Sequence, residues 1–241
     1  NRCDIPEKIT QVLGNTNREI VNSIVTDVIC MSMNKPYIKM SDKVYNALQE
    51  LLDFNYKNIY IDDWYSIIGP KEKSDGNLKK YNLALSDYYF NEKTIEKAEV
   101  RMQKFVLNYF KSSKIDAVCA SDLMDQLIVS NLMAEEEDIP FLGVYNACAS
   151  FASGVISIAN MIQSKGVKRG VYITSSHNLS AEKQFRFPIE YGAVKPKRST
   201  FTATGAVGVS LNNTSGKIKI ISATLGKVKD SYVKDAFNMG G

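Results

Sequence analysis

The spacing of apolar residues changes about a quarter of the way along the chain. In the first sixty residues, apolar side chains recur every three or four positions, which is typical of helices with one buried face. Two amphipathic helices are predicted there, one marked by Ile20, Ile24, Val28 and Met31 and the other by Val44, Leu48, Leu51 and Leu52. Two such helices are too small to bury a core alone, so the segment needs a partner surface.

Beyond residue 59, short apolar runs alternate with helical patterns. Strands are predicted at 59–68, 115–120, 141–145, 170–174, 205–211 and 217–225, and helices at 95–110, 126–137 and 151–165. A long polar loop is predicted between residues 71 and 83. Alternating strands and helices are typical of a sheet with helical crossovers, so the fold class is α/β, preceded by a small helical segment. The junction near Tyr60 has no Gly/Ser linker, which argues against two freely hinged domains.

Composition agrees with a globular protein of this class. The chain has 241 residues, of which 44% are hydrophobic and 23% charged, with a net charge of +4. Its lysines are spread along the chain, whereas nucleic-acid binding needs a concentrated basic face, so no nucleic-acid partner is expected. The chain begins with asparagine and stops at Met239-Gly-Gly241, and we expect both ends to be truncated.

The sequence predicts neither a metal site nor a membrane-spanning segment. Four scattered cysteines and a single histidine cannot assemble a zinc or iron–sulfur site, and they indicate a reducing, cytoplasmic compartment. The chain has no apolar run of about eighteen residues and no leader-like segment, so neither a membrane span nor secretion is expected.

Cys148 is the first candidate for chemistry. It lies in an apolar passage, 141–154, that is patterned as strand, turn and helix. Such a turn presents the thiol at a helix N-terminus, where backbone N–H groups and the helix dipole favour a thiolate. Cys148 is then either a nucleophile or the relic of one. The alternative is a small buried apolar side chain, which is what we expect of Cys3, Cys30 and Cys119.

His177 is the second candidate. The strand at 170–174 runs directly into Ser175, Ser176, His177 and Asn178, and polar residues crowd the segment up to residue 206. Such crowding between two strands is typical of a site. His177 follows a strand on the side of the sheet where Cys148 emerges, so it can act as a general base, although a lone histidine in a polar loop is more often a structural hydrogen-bonding group.

Four motifs of the chain are long or unusual: Ala147-Cys-Ala-Ser150, Ser175-Ser-His-Asn178, Gln184-Phe-Arg-Phe-Pro-Ile-Glu-Tyr-Gly192 and Thr202-Ala-Thr-Gly205. They resemble motifs of the stage V sporulation protein AD family, a thiolase-fold branch found in spore formers. The resemblance runs collinearly from about Ile61, through 69–72 and 120–126, to Gly241. It implies that residues 61–241 form the first half of a thiolase-like layered sheet-and-helix fold. In catalytic thiolases the activating histidine comes from the second half.

Residues 1–60 resemble a different family. Segments 12–18, 40–55 and 59–60 are similar to the C-terminal helical end of HD-type dGTP triphosphohydrolases. The metal-binding histidines and aspartates of that family lie upstream of this end. None is present here, because His177 is the only histidine, so the resemblance does not extend to hydrolase activity.

The sporulation resemblance implies a pocket for dipicolinic acid, pyridine-2,6-dicarboxylate, during its uptake into the forespore. A planar dianion calls for a cationic fork, donors at a helix N-terminus and an apolar slot. Arg186 offers the fork, between Phe185 and Phe187 in a strand-like stretch, but it can equally pair with Glu182 or Glu190. The expected ligand-binding set is Cys148, Ser150, His177, Asn178, Gln184, Arg186, Asp122 and Gln126, with steering charge from Lys195 and Arg198.

Part of that set has a structural alternative. Asp122 and Gln126 follow a strand end, where open sheets bind ligands, but an aspartate there also caps the next helix. Compared with the family, Ala149 and Ser150 stand in place of Ser and Thr, and Ser121 and Asp125 in place of Gly and Asn. Asp125 adds negative charge near the mouth, which disfavours a dianion unless calcium accompanies it. No other cofactor is implied.

Three functions remain open from sequence: a dipicolinate-binding sporulation protein, an acyltransferase that uses Cys148, and an inactive fusion fragment that includes a triphosphohydrolase remnant. The partners implied by the resemblance are other stage V sporulation A proteins at the forespore inner membrane, where the chain would be peripheral. A half fold also exposes a sheet edge and a helix face, so a homodimer is possible.

Overall fold

A long strand, Leu52–Ile68, opens the part of the chain that the structure, a computed structural model, describes. That part comprises residues 52–74, 81–124, 127–185, 202–226 and Tyr232. The chain divides into two units, and Asn55–Ala223 make up the unit that holds nearly all described elements. The two amphipathic helices predicted before residue 52 lie outside the described residues. Leu52 itself was predicted in the second helix and is in the strand instead, which continues unbroken through Tyr60.

The α/β class is confirmed, and the elements match the predicted strands and helices within a few residues, except that the first strand begins at Leu52 and was predicted from residue 59. Two predictions were incomplete, since the polar loop after residue 70 contains a short helix and a two-residue strand, and the polar segment after residue 176 begins with a helix. In chain order the elements are β1 (Leu52–Ile68), α1 (Pro70–Ser74), β2 (Leu83–Ala84), α2 (Ile95–Phe110), β3 (Ala117–Ser121), α3 (Ile128–Glu137), β4 (Phe141–Gly143), α4 (Ser150–Gln163), β5 (Arg169–Ser176), α5 (Asn178–Phe185), β6 (Gly205–Asn212) and β7 (Ile218–Leu225).

Within the described residues, the strands form one mixed sheet in the order β2-β1-β6-β5-β3-β4, with β7 paired to β1. Strand β3 is parallel to both β4 and β5, and helices α3 and α4 make crossover connections between these strands. Strand β6 is antiparallel to both β5 and β1. The carboxyl ends of β3, β4 and β5 therefore meet at one edge of the sheet, and the segments that follow these strands gather there.

Helices cover both faces of the sheet. Successive side chains of a strand point to opposite faces. Val118 and Ala120 of β3 belong to the buried cluster that α2 and α3 complete, while Cys119 between them is buried on the other face. Helix α4 packs on that other face, where a Cβ added at Gly154 would lie 1.9 Å from the ring of Tyr172. The side chain of Cys119 is thus a small apolar core group, as predicted, and burial raises the pKa of its thiol to about 12.

Helix α2 forms because its sequence supplies a cap and an apolar stripe. The hydroxyl of Thr94 accepts a hydrogen bond from the backbone N–H of Lys97 at 3.3 Å, which satisfies one of the free amides of the first turn. The inward face buries apolar residues such as Val106, Leu107 and Phe110. Two polar residues, Glu99 and Gln103, lie on that same buried face.

Candidate functional site

A tight turn after β4 carries Cys148. The backbone of Ala147 is left-handed, with φ of 42°, a conformation that costs a non-glycine residue about 1 kcal/mol. Residues Ala147–Ala149 form a single 3-10 turn, and α4 begins at the next residue. Cys148 is exposed and stands immediately before the helix, as the strand–turn–helix pattern predicts. A strained turn that holds an exposed thiol at a helix start is a feature that functional sites use.

Ser150 stabilises this turn through a hydrogen bond to its backbone. It is buried, and its hydroxyl accepts a hydrogen bond from the backbone N–H of Asn146 at 2.9 Å. The Asn146 side chain in turn donates to the hydroxyl of Ser153 at 2.9 Å. The Ser150 hydroxyl is therefore occupied in shaping the turn, and it does not line the cleft described next.

Beside Cys148 lies a cleft of about 340 Å³. Its walls come from the ends of β1 and β5, the start of β6, helix α1 and the Cys148 turn. The apolar lining residues are Ile67, Ile68, Leu123, Ala147, Phe151, Ala203, Ala206 and Val207, with Gly205 between them, and the polar ones are Glu72, Tyr81, Cys148, Thr174, Ser175, Ser176 and Thr204. An apolar slot with a few convergent polar groups is the usual form of a small-molecule site.

Glu72 and Thr204 form the polar corner of the cleft. Glu72 Oε1 accepts a hydrogen bond from the backbone N–H of Thr204 at 3.0 Å, while its Oε2 is buried without a hydrogen-bond partner among the described residues. The Thr204 hydroxyl accepts from the backbone N–H of Asn178 at 2.9 Å. Sequence reasoning did not single out Glu72 or Thr204, although both lie in motifs that carry the family resemblance.

His177 is fully buried, and neighbouring backbone occupies both of its ring nitrogens. Nε2 lies 2.9 Å from the carbonyl oxygen of Tyr88, and Nδ1 accepts from the N–H of Leu179 at 3.3 Å. A neutral ring protonated on Nε2 satisfies both contacts, and burial lowers the pKa of the imidazole, which favours that neutral form. His177 does not line the cleft, so this geometry supports the structural role and disfavours a role as base for Cys148.

Asp122 has a structural role close to its capping alternative, because it accepts from an amide in the first turn of α3, although Leu127 occupies the N-cap position. It is buried, and its Oδ2 accepts from the backbone N–H and the hydroxyl of Ser130, at 2.8 and 2.6 Å. The backbone N–H of Met124 donates to Oδ1 at 3.0 Å. Burial raises the pKa of this carboxyl, and these hydrogen bonds partly oppose that rise. Asp122 ties the loop after β3 to the first turn of α3 and lies behind the cleft, outside its lining.

The other predicted site residues are only partly described. Asn178 donates from its side chain to the carbonyl oxygen of Thr202 at 2.9 Å and holds the start of α5. Gln184 is half-buried on α5 and does not line the cleft. A strand-like conformation was expected around Phe185. This prediction is wrong at Phe185, because helix α5 continues to that residue. The remaining predicted residues, Gln126, Asp125, Arg186, Phe187, Glu190, Lys195 and Arg198, lie outside the described residues.

Comparison with known proteins places the chain in a family. The model of the family described as stage V sporulation protein AD matches residues 51–241. The chain belongs to this family. It is 36% identical over 189 residues to stage V sporulation protein AD of Bacillus subtilis (strain 168), a match that covers 76% of this chain and 56% of that protein. The chain therefore spans little more than half of this relative. Membership carries with it the thiolase-type α/β fold that the resemblance implied.

Two further relatives bear out the second resemblance. The chain is 32% identical over 87 residues to a deoxyguanosinetriphosphate triphosphohydrolase-like protein of Caldanaerobacter subterraneus subsp. tengcongensis, which covers 36% of this chain and 24% of that protein. A protein of the same description from Desulfatibacillum aliphaticivorans is 29% identical over 109 residues, or 43% of this chain and 29% of its own length.

Solved structures with similarity to the chain include OleA of Xanthomonas campestris (H285N) and 3-oxoacyl-(acyl carrier protein) synthase III of Xanthomonas oryzae pv. oryzae. The first has a TM-score of 0.43 at 10% identity and covers 66% of this chain and 57% of its own. The second has a TM-score of 0.42 at 14% identity and covers 67% of this chain and 58% of its own.

In the described part of this chain, no helix has the length and apolar character that a membrane crossing requires. Nor do the described side chains form a cluster of three or more metal-ligating groups.

Proposed function

We propose that this sporulation protein of the stage V AD family binds dipicolinic acid in the Cys148 cleft, as a step in uptake of the acid into the forespore. The observation that carries the proposal is the cleft itself, which is lined by residues of three family motifs, those at 147–150, 175–178 and 202–205. Its volume of about 340 Å³ is at the lower end of the range for small-molecule pockets, which suits a ligand with a single ring. Phe151 and Val207 offer apolar walls to that ring.

One hydrogen-bond donor for a carboxylate is available at the polar corner, the hydroxyl of Thr204. The Thr204 oxygen already accepts from the Asn178 amide, and no described residue accepts the hydroxyl proton of Thr204, so that proton can be donated to a ligand. Ser176, by contrast, donates to the carbonyl oxygen of Ala203 at 2.6 Å and helps to fix the wall. A wall that is hydrogen bonded before the ligand arrives loses little entropy on binding.

Charge decides how a dianion is held. Among the described residues no lysine or arginine lines the cleft, whereas the carboxylate of Glu72 does. Positive charge is therefore needed, either from Arg186, the cationic fork expected from the sequence, or from a calcium ion that enters with dipicolinate and bridges it to Glu72. A titration with and without calcium distinguishes the two, because only the second requires the ion.

An acyltransferase is the second candidate, and the exposed thiol of Cys148 at the start of α4 favours it. The engagement of both His177 nitrogens speaks against it, since no described histidine is then available to activate the thiol. Incubation with acetyl-coenzyme A followed by mass spectrometry separates the two functions. A stable acetyl group on Cys148 would favour the enzyme, and an unmodified chain would favour the binding protein.

The family also suggests the setting in which the chain works. We propose that it acts in the cytoplasm or peripherally at the forespore inner membrane, with other stage V sporulation A proteins as partners. A homodimer is a further possibility. Co-purification of these partners with the chain, and its retention by forespore membranes, would test this placement.

A cleft-blocking substitution tests the binding proposal. Ala203 is exposed at the cleft wall, and Ala203→Trp would fill the slot. We expect its affinity for dipicolinate, measured by calorimetry, to fall at least about tenfold, or roughly 1.4 kcal/mol. Ala152→Trp adds the same side chain at an exposed position on α4 outside the cleft lining and should bind within about twofold of wild type. Unchanged binding by Ala203→Trp would place the ligand elsewhere.

A further inference from the structure

A buried hydrogen-bonded chain lies directly behind the cleft wall. Ser175, which lines the cleft, donates from its hydroxyl to Glu99 Oε1 at 2.7 Å. The Gln103 amide nitrogen donates to the same hydroxyl at 2.8 Å, and also contacts the Ser121 carbonyl oxygen and the Ser130 hydroxyl, each at 3.1 Å. Glu99 is only 1% exposed and Gln103 is not exposed at all. The carboxyl of Glu99 is thus one hydroxyl group away from the ligand space.

Two buried oxygen atoms in this hydrogen-bonded group lack a partner within the described part of the chain. Among the described residues, Glu99 Oε2 and Gln103 Oε1 have no hydrogen-bond partner. Residues four apart on a helix are neighbours on one face, which is the relation of Glu99 to Gln103 on α2. Both atoms are acceptors while Glu99 is ionised, and two acceptors cannot bond. A proton on Glu99 Oε2 supplies a hydrogen-bond donor on this face, where leaving buried acceptors unpaired is costly.

The charges around Glu99 also favour its neutral form. Glu96 on its own helix and Asp122 beyond the end of β3 are both acids, and they disfavour a further negative charge. From β5 the carboxyl of Glu99 accepts the hydroxyl proton of Ser175, and the first titratable residue after that strand, His177, favours its neutral form. Burial is the largest influence and raises the pKa of Glu99 to about 8.

We propose that Glu99 determines whether the cleft accepts an anion. In its neutral form it keeps the wall behind Ser175 uncharged. When Glu99 ionises, a negative charge appears next to the cleft and repels a ligand carboxylate. This inference rests on the proposed function, because it assigns to the same cleft the protonation state in which it binds dipicolinate.

The test is a comparison of dipicolinate affinity near pH 7 and near pH 9, for wild type and Glu99→Gln. If only the neutral form binds, the apparent Kd of wild type should be about tenfold weaker one pH unit above the Glu99 pKa than well below it. In Glu99→Gln the amide can donate a hydrogen bond and accept from Ser175 at every pH, so its affinity should not fall. An equal fall in both proteins would overturn the inference.

Cys148 is the control for this titration, because its thiol is a further group that lines the same cleft. The pH series is therefore repeated with Cys148→Ser added to both proteins. The fall in dipicolinate affinity at high pH should persist in Cys148→Ser alone and vanish when Glu99→Gln is added. Tyr81 and Glu72, which also line the cleft, are unchanged in Glu99→Gln and cannot produce a difference between the two proteins. A fall that disappears with Cys148→Ser alone would overturn the role of Glu99.

A second measurement needs no ligand. The raised pKa of Glu99 gives the folded state a stability advantage that is complete below the unfolded pKa, near 4.5, and is lost as the pH rises toward about 8. The urea midpoint of wild type should therefore fall across that window relative to Glu99→Gln. Parallel midpoint curves would overturn the inference. A relative fall of the wild-type midpoint, with no dipicolinate binding at either pH, would overturn the proposed function while supporting a neutral Glu99.

Discussion

At the scale of single residues, close contacts fix the helix that follows Cys148. The Tyr172 ring packs against the backbone of α4 at Gly154 and meets the ring of Phe151 edge-on at a centroid distance of 5.6 Å. Phe151 in turn lines the cleft. The absence of a side chain at Gly154 therefore allows the close approach on which one wall of the cleft depends.

Gly154→Ala should destabilise the protein by about 1–3 kcal/mol, as overpacked cores usually do. The added Cβ would lie 1.9 Å from a Tyr172 ring atom, and the better helix propensity of alanine offsets only about 0.5–1 kcal/mol of the cost. Urea unfolding measures the change. Gly166→Ala is the matched control, because its nearest contact would be an ordinary 3.7 Å. Equal stabilities for the two variants would contradict the packing account.

Residues differ in how far sequence alone reveals them. Cys148 is recognisable because its strand–turn–helix setting is a local pattern. Glu99 is not, because a glutamate in a helix with an acid and two cations nearby in sequence (Glu96, Lys97 and Arg101) usually faces solvent. Only the packing of α2 on the sheet shows that it points inward.

At the scale of elements, the start of β6 holds several elements together. The carbonyl oxygen of Thr204 accepts from the N–H of Gly69 at 2.8 Å, its N–H donates to Glu72 on α1, and its hydroxyl receives the N–H of Asn178 on α5. The side chain of Thr204 is fully buried. One residue thus joins the end of β1, α1 and α5 at the polar corner of the cleft.

Thr204→Val should cost about 1–3 kcal/mol in stability, because it leaves the buried Asn178 amide without its acceptor. Hydrogen exchange should also speed up at the first turn of α5. Thr204→Ser keeps the hydroxyl and should restore protection of the Asn178 amide, with a smaller loss from the missing methyl group. If valine and serine behave alike, the hydrogen bond is not what holds α5.

The elements that sequence reasoning found are those with strong apolar patterns. Helix α2 was predicted with its observed bounds, since its apolar spacing is regular. Helix α5 was missed because Asn178–Phe185 is mostly polar and lacks a clear apolar stripe. Its first turn depends on contacts with Thr202 and Thr204, more than twenty residues later in the chain, which no local pattern reveals.

At the scale of the whole molecule, the site is made by strand order. Strands β5 and β6 are neighbours, and β1 pairs with the distant strand β6 as well as with β2, the next strand in sequence. This order brings Ile67, Ser175 and Ala206 to one cleft with Cys148, although they are far apart in the chain. The α/β class follows from the alternation of strands and helices, whereas the strand order depends on long-range pairing that periodicity does not encode.

The most direct test of the account is a calorimetric titration of the chain with dipicolinate, with and without calcium, alongside pyridine-2-carboxylate. The account predicts saturable binding of about one dipicolinate per chain, and weaker binding of the monoacid, which loses the contacts of one carboxylate. The absence of saturable heat with dipicolinate under both conditions, from a chain that is shown to be folded, would contradict the claim that the Cys148 cleft binds it.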